Sequence, residues 1–279
     1  MQRRSLALAL ALAVTLLSGC GTAGTTPQAA PTTAAAPSPA STDLGRPLEE
    51  IEKDRPANSG KNEQVSMERL DREGGICTLA GADATCTDVP EPYRPDAQAL
   101  WERTVLFFPP EVRSPMSEFV LLPRGQGGGV AEDDQGAYLF SVGFPASGDV
   151  DHIIIHELGH AFEVTTHQDF AKRWHAKFWT DAEQKKSQDY EPDAATLDQN
   201  PLYAAKPDAF VHPYAAVNAS EDFAETFRWF VLGVKPTGTS IKEQKILEMW
   251  TDPALVAARD RIQQARAEHP GPLQPVPVS

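Results

Sequence analysis

Hydrophobic residues recur along the chain with two different spacings, which predicts a domain built from both strands and helices. Two apolar runs bounded by turn residues, at 117–122 and 137–144, predict strands, and the stretch 125–136 between them predicts a loop rich in glycine and acidic residues. Helical spacing predicts four further elements, at 95–106, 151–164, 169–186 and 221–232. This order predicts an α+β domain in which a small sheet packs on helices.

Local capping residues set the starts of the later helices. Ser220 is well placed to cap the helix predicted at 221–232. The run Ser-Ile-Lys-Glu at 240–243 is a capping box, which predicts a second helix there. A third helix is predicted to begin at Asp252 and Pro253, because proline is favoured in the first turn of a helix.

The first residues have the features of an export signal rather than of a membrane span. A basic start is followed by an apolar stretch at 6–17, shorter than the roughly 20 residues of a transmembrane helix. The sequence Leu-Ser-Gly-Cys at 17–20 resembles the lipobox of bacterial lipoproteins, in which the cysteine after the cleavage site is acylated. We therefore expect residues 1–19 to be a signal peptide and Cys20 to carry a lipid on the extracytoplasmic face of the cell membrane. An ordinary secretory signal is the alternative.

Composition divides the rest of the chain. Residues 20–45 consist mainly of Ala, Thr, Pro, Ser and Gly, which predicts a disordered tether. If Cys20 is acylated, Cys77 and Cys86 are left as a pair, and the turn-like residues between them predict a disulfide across a small hairpin. The expected divisions are an N-terminal segment at 46–94, a main domain at 95–268 and a disordered Pro-rich tail at 269–279.

The charge balance argues against one class of partner. The chain has 25 basic and 39 acidic side chains, a formal net charge of −14. A field of this sign repels phosphate backbones, so nucleic acid is not expected as a ligand.

The strongest chemical motif is His156-Glu157-Leu-Gly-His160, which lies inside the apolar helix predicted at 151–164. Residues four apart share a helix face, so both imidazoles can reach one tetrahedral metal while Glu157 lies beside the open coordination position as a base. The alternative is a surface helix that happens to carry two histidines, which fits poorly with the apolar flanks. His152, one turn earlier, is expected to be an outer neighbour of the site rather than a ligand.

A third ligand must come from elsewhere in the chain. The extended motif with a third histidine fails, because Glu163 stands where that motif needs glycine and Thr166 where it needs histidine. A carboxylate from the helix at 221–232 is the remaining option, and Glu221 and Glu225 lie one turn apart on one face. Two carboxylates on one face repel each other unless a cation is near. For Glu221 alone there is an alternative interpretation: an acidic residue in the solvated first turn of a helix, where it favours the helix dipole. Spacing alone leaves either glutamate able to face the metal.

These segments together resemble a known family. His-Glu-Leu-Gly-His-Ala-Phe at 156–162, then Tyr214, Asn218 and the run at 221–228 are similar to the catalytic domain of anthrax lethal factor and the related bacterial Pro-Pro endopeptidases. The resemblance extends over roughly 117–232 and implies a zincin-like fold. The cysteine-containing segment is outside it and the loop between the two motifs is longer here, so it leaves substrate specificity open.

The resemblance also implies roles for individual residues. Glu157 would be the catalytic base, Tyr214 a hydroxyl next to the metal, and Glu225 an outer partner of a ligand. The implied zinc ligands are His156, His160 and Glu221.

The expected function is therefore that of a zinc endopeptidase with one Zn²⁺ per chain, which hydrolyses a peptide or protein substrate by means of an activated water. The strand at 137–144 is expected to be the sheet edge on which an extended peptide pairs. A zinc-binding surface lipoprotein without turnover is the alternative, and Glu157 distinguishes the two because simple binding needs no base.

Overall fold

The computed structural model describes residues 74–275 except 81, 133–135, 147 and 189–196. The expected signal peptide, the acylated Cys20, the tether at 20–45 and the last four residues of the tail lie outside these described residues. No helix in the described part of the chain is long and apolar enough to cross a membrane.

The described residues form one sheet of five strands accompanied by helices. The strands are β1 (Gly75–Ala80), β2 (Asp83–Thr85), β3 (Met116–Leu121), β4 (Gly128–Glu132) and β5 (Tyr138–Val142). The helices are α1 (Arg94–Phe107), α2 (Pro110–Arg113), α3 (Val150–Val164), α4 (Gln168–Phe178), α5 (Asp181–Gln188), α6 (Pro201–Ala205), α7 (Ala219–Leu232), α8 (Ile241–Met249) and α9 (Pro253–Glu268). Short 3-10 turns occur at Glu91–Tyr93, Leu197–Gln199, Pro207–Ala209 and Pro213–Ala216.

The sheet is mixed, with the strand order β2-β1-β3-β5-β4. Strand β3 pairs parallel with β5, and the other pairs are antiparallel. The α+β prediction is confirmed, but two details of it are wrong. The Gly-rich stretch predicted as a loop contains β4, and β5 is an inner strand with neighbours on both sides, so β4 rather than the strand predicted at 137–144 forms this edge. Strand β4 begins with two glycines, a residue type that is rare in strands. They adopt strand geometry here because they pair with β5.

The cysteine pair lies within the sheet. Cys77 on β1 and Cys86 just after β2 form the predicted disulfide across an antiparallel hairpin. Strand β1 also pairs with β3, and Cys77 is fully buried. This part of the segment predicted at 46–94 is therefore continuous with the main sheet.

Helices α3 and α7 form the centre of the core and lie unusually close together. Most residues of both helices are buried. A Cβ atom added at Gly159 of α3 would be 2.8 Å from Cα of Ala224 in α7, closer than such atoms approach in proteins. The glycine of the His-Glu-Leu-Gly-His motif therefore lets the backbones of the two helices come into contact.

The predicted block at 169–186 is two helices, because the chain becomes extended at Trp179, after the end of α4. The indole of Trp179 then donates a hydrogen bond to the buried carboxylate of Asp222 on α7. Thr180 starts α5 by exchanging hydrogen bonds with Glu183. A tertiary contact thus ends a helical pattern that would otherwise continue.

Two of the three later helices begin at the capping residues predicted from the sequence, and the third does not. The capping box of Ser240 and Glu243 is present at α8, and Asp252 caps α9. Helix α7 begins earlier than predicted and is capped by Asn218, whose side chain accepts a hydrogen bond from the Glu221 N–H at 2.9 Å. The prediction that Ser220 caps this helix is wrong, since Ser220 lies within its first turn.

Candidate metal centre

The candidate site lies where α3 crosses the first turn of α7. Helix α3 presents His156, Glu157 and His160 toward α7, and the early start of α7 places Glu221 opposite the two imidazoles. All four side chains are buried or nearly so. The Asn218 cap holds the Glu221 backbone, so the position of this carboxylate is fixed by the local chain as well as by packing.

Three side-chain atoms form a nearly equilateral triangle. His156 Nε2 is 3.2 Å from His160 Nε2 and 3.2 Å from Glu221 Oε2, and His160 Nε2 is 3.4 Å from the same carboxylate oxygen. Donors about 2.0–2.1 Å from a tetrahedral zinc are about 3.3 Å apart, so the triangle has the size that such an ion requires. These three residues can hold a metal ion. Two imidazoles and one carboxylate are also the donor set of many catalytic zinc sites.

The geometry separates the two glutamates of α7. Glu225 contacts His156 on the other ring nitrogen, with Nδ1 2.8 Å from Glu225 Oε1, whereas Glu221 faces Nε2. The second oxygen of Glu225 accepts a hydrogen bond from Arg228 at 2.7 Å, and both of these side chains are almost fully buried. Glu225 thus lies behind the imidazole, where its carboxylate fixes the ring orientation and leaves Nε2 free to bind a metal.

His160 has an outer partner that the sequence does not indicate. Its Nδ1 lies 3.0 Å from the Ser220 hydroxyl, which donates in turn to Glu163 at 2.7 Å. The sequence favours a capping role for Ser220 and marks Glu163 only as a departure from a longer motif. Glu163 follows His160 by one helical turn and Ser220 directly precedes Glu221, but this proximity to the ligands does not show that the two side chains meet.

Glu157 lies beside the triangle with one oxygen that accepts no hydrogen bond from the described residues. Its side chain is buried, and the oxygen concerned is Oε2. Burial raises the pKa of Glu157, and the neighbouring histidines only partly oppose this. Strand β4 runs alongside, since a Cβ atom at Gly128 would be 2.8 Å from Glu157 Cγ.

Tyr214 packs near His156, with the two ring centroids 5.9 Å apart. It belongs to the 3-10 turn Pro213–Ala216, where its N–H donates to the ring of His212 at 3.0 Å. Burial and the nearby carboxylate of Glu221 raise the pKa of the Tyr214 hydroxyl well above its usual value. The hydroxyl therefore stays protonated near neutral pH and can donate a hydrogen bond.

The electrostatics of the site favour a cation between the helices. Burial opposes charge on His156, but hydrogen bonds to Glu221 and Glu225 outweigh it and raise the histidine pKa to about 9. Burial alone would raise the pKa of Glu221, yet His160 and His156 hold it well below its usual range. Without a metal, the carboxylates draw protons onto the imidazoles; a bound cation replaces those protons.

His152 is not part of the donor group, although it is buried one turn before His156 on α3. Its expected place as an outer neighbour of the site stays a prediction.

Comparisons with models of known protein families, with curated proteins and with solved structures give no match to this chain. The function therefore has to be argued from the site itself.

Proposed function

We propose that this protein is a zinc-dependent endopeptidase. The observation that carries the proposal is the triangle of His156, His160 and Glu221 with a buried carboxylate oxygen of Glu157 beside it, to which no described residue donates a hydrogen bond. A protein that only stores or carries zinc has no use for that fourth group, because a buried carboxylate oxygen without a partner lowers stability. The resemblance of these segments to the lethal factor family supports the same reaction.

The ligands suit zinc, which when bound supplies a Lewis acid that polarises a carbonyl and lowers the pKa of a water molecule toward neutrality. Glu157 accepts the proton of the attacking water and delivers it to the leaving amine. Tyr214 donates a hydrogen bond to the oxygen on which negative charge develops.

Strand β4 is the proposed docking edge for an extended peptide. The N–H of Gly143 donates to the Gly127 carbonyl. In an antiparallel ladder, hydrogen-bonded and non-hydrogen-bonded residue pairs alternate. Gly129 and Ala131 therefore also hydrogen-bond to β5. The backbone groups of the intervening residues therefore face outward, at positions 128, 130 and 132. A substrate strand that pairs with them would lie next to Glu157, because Gly128 contacts that side chain.

The test is to compare the purified protein with Glu157→Gln. Both proteins should hold about one zinc per chain and lose it to a chelator, because glutamine keeps the volume of the side chain without touching the donor triangle. Only the wild-type protein should cleave a library of extended peptides, in which we would include Pro-rich sequences first because of the family resemblance. Cleavage at the wild-type rate by Glu157→Gln would remove the base from the mechanism.

Tyr214→Phe provides a second arm of the same experiment. It keeps the ring but loses the hydroxyl, so zinc content should be retained while turnover falls by about 10²–10³-fold, as for loss of one oxyanion donor. If wild-type and both variants bind zinc yet cleave nothing, the alternative of a zinc-binding protein without turnover is favoured. A metal-free protein that also resists loading with zinc would contradict both functions.

A further inference from the structure

His160 is connected to a chain of polar groups that crosses three helices. His160 Nδ1 lies 3.0 Å from Ser220 Oγ, and that hydroxyl donates to Glu163 Oε2 at 2.7 Å. The other oxygen of Glu163 lies 3.1 Å from His175 Nε2 on α4. Ser220 belongs to α7, while His160 and Glu163 belong to α3.

The direction of the hydrogen bonds follows from metal ligation. A histidine that binds a metal through Nε2 is neutral and carries its hydrogen on Nδ1, so His160 must donate to Ser220. A serine hydroxyl can accept this bond and still donate its own hydrogen, which Glu163 receives. The contact of His175 Nε2 with the second oxygen of Glu163 does not have hydrogen-bond geometry.

Ser220 lies within hydrogen-bond distance of His160, whereas the carboxylate of Glu163 does not. Glu163 Oε2 is 3.5 Å from His160 Nδ1, beyond an effective hydrogen bond, whereas Glu225 reaches His156 directly at 2.8 Å. The side chains of His160 and Glu163 are only 15% and 11% exposed, which leaves little room for water as a substitute. Ser220 also does not serve as the cap of α7, because Asn218 does.

We infer that Ser220 is a positioning residue that fixes the tautomer and ring orientation of His160, and that Glu163 holds its hydroxyl in place. The inference rests on the proposed function, since it concerns a ligand of the proposed zinc. It predicts that the two histidine ligands are oriented by different means: His156 by a charged partner and His160 through a neutral hydroxyl.

Ser220→Ala and Ser220→Thr are the matched test variants. The alanine variant should bind zinc about 10–100-fold more weakly in a competition with a chelator, as expected for loss of an outer partner. The threonine variant keeps the hydroxyl and should bind within a few-fold of wild type. The visible absorption bands of the cobalt-loaded protein should change in Ser220→Ala but not in Ser220→Thr, since they report the geometry around the metal.

Thermal unfolding of the metal-free proteins measures any folding defect separately. Ser220→Ala leaves Glu163 Oε2 without its serine donor and should lower the melting temperature, so zinc affinity is compared well below the unfolding transition. Wild-type zinc affinity and an unaltered cobalt spectrum in Ser220→Ala would overturn the inference. That result would leave the proposed function standing. Failure of the wild-type protein to bind zinc would overturn both.

A double-mutant cycle tests whether Glu163 acts through Ser220. Glu163→Met has a similar volume but no strong accepting oxygen, so the Ser220 hydroxyl loses its acceptor. If the two residues act in one chain, the loss of zinc affinity in the double variant should be smaller than the product of the two single losses. Fully independent losses would show that Glu163 does not hold the serine.

Discussion

At the scale of single residues, the two glutamates of α7 have different positions relative to the same imidazole. Glu221 Oε2 faces the Nε2 atoms of both histidines, whereas Glu225 faces Nδ1 of His156. The sequence limits the third ligand to this helix face. Which of the two glutamates binds depends on where α7 begins and how it crosses α3, and neither is encoded in local spacing.

This difference predicts the behaviour of two variants. Glu221→Ala removes a proposed metal ligand and should leave zinc bound weakly at best. Glu225→Gln can still accept a hydrogen bond from His156 but loses its charge, so zinc affinity should fall by about 10–100-fold. Both affinities are measured by chelator competition, with Glu268→Ala at an exposed position of α9 as the control for loss of a carboxylate. Equal losses for Glu221→Ala and Glu225→Gln would contradict the assignment.

At the scale of secondary-structure elements, the site depends on how closely α3 and α7 pack. An added Cβ at Gly159 would meet backbone atoms of Ala224, and backbone cannot rotate away as a flexible side chain can. The helices must therefore separate to accept a larger residue. Their separation changes the distances between the histidines of α3 and the glutamates of α7.

Gly159→Ala should consequently lower both stability and metal affinity. Overpacking of this kind costs about 1–3 kcal/mol, which exceeds the gain of about 1 kcal/mol that alanine brings to a helix interior. Urea unfolding of the metal-free protein and zinc competition measure the two effects. A more stable variant with unchanged zinc affinity would show that the helices adjust without cost.

The same scale shows what the sequence can and cannot predict. Helices with their own caps, such as α8 and α9, and the long apolar α3 are predictable because their signals lie within a few residues. Strand β4 and the break after α4 are not, since each depends on a distant partner: β5 for the glycine-rich strand and Asp222 for Trp179. The hydrogen bond from Ser220 to Glu163 escapes prediction for the same reason, as Glu163 is 57 residues away.

At the scale of the whole described molecule, the disulfide and the candidate site lie in different parts of the fold. Cys77 belongs to β1, which β3 and β5 separate from the edge strand β4 next to Glu157. The bridge closes a short loop, with a sequence separation of 9. Cross-links of this length stabilise the folded state by about 2–3 kcal/mol, chiefly by restricting the unfolded chain.

Replacing both Cys77 and Cys86 by alanine should therefore lower the free energy of unfolding by about 2–3 kcal/mol without changing zinc affinity. Denaturant unfolding and chelator competition, carried out well below the unfolding transition, measure the two quantities separately. A large loss of zinc affinity in the folded double variant would mean that the hairpin and the metal centre are coupled through the sheet.

The helices carry the candidate metal centre and the sheet carries the proposed docking edge, and this separation affects how the sequence can diverge in evolution. The donor atoms and the outer partners described for the two histidines come from α3 and α7, while the outward-facing backbone of β4 comes from the sheet. Gly128 joins the two through its contact with Glu157. Under the proposed endopeptidase function, mutations further along β4 would change which peptides are accepted without changing the reaction, so sequence differences among descendants should accumulate on that strand and spare its first glycine.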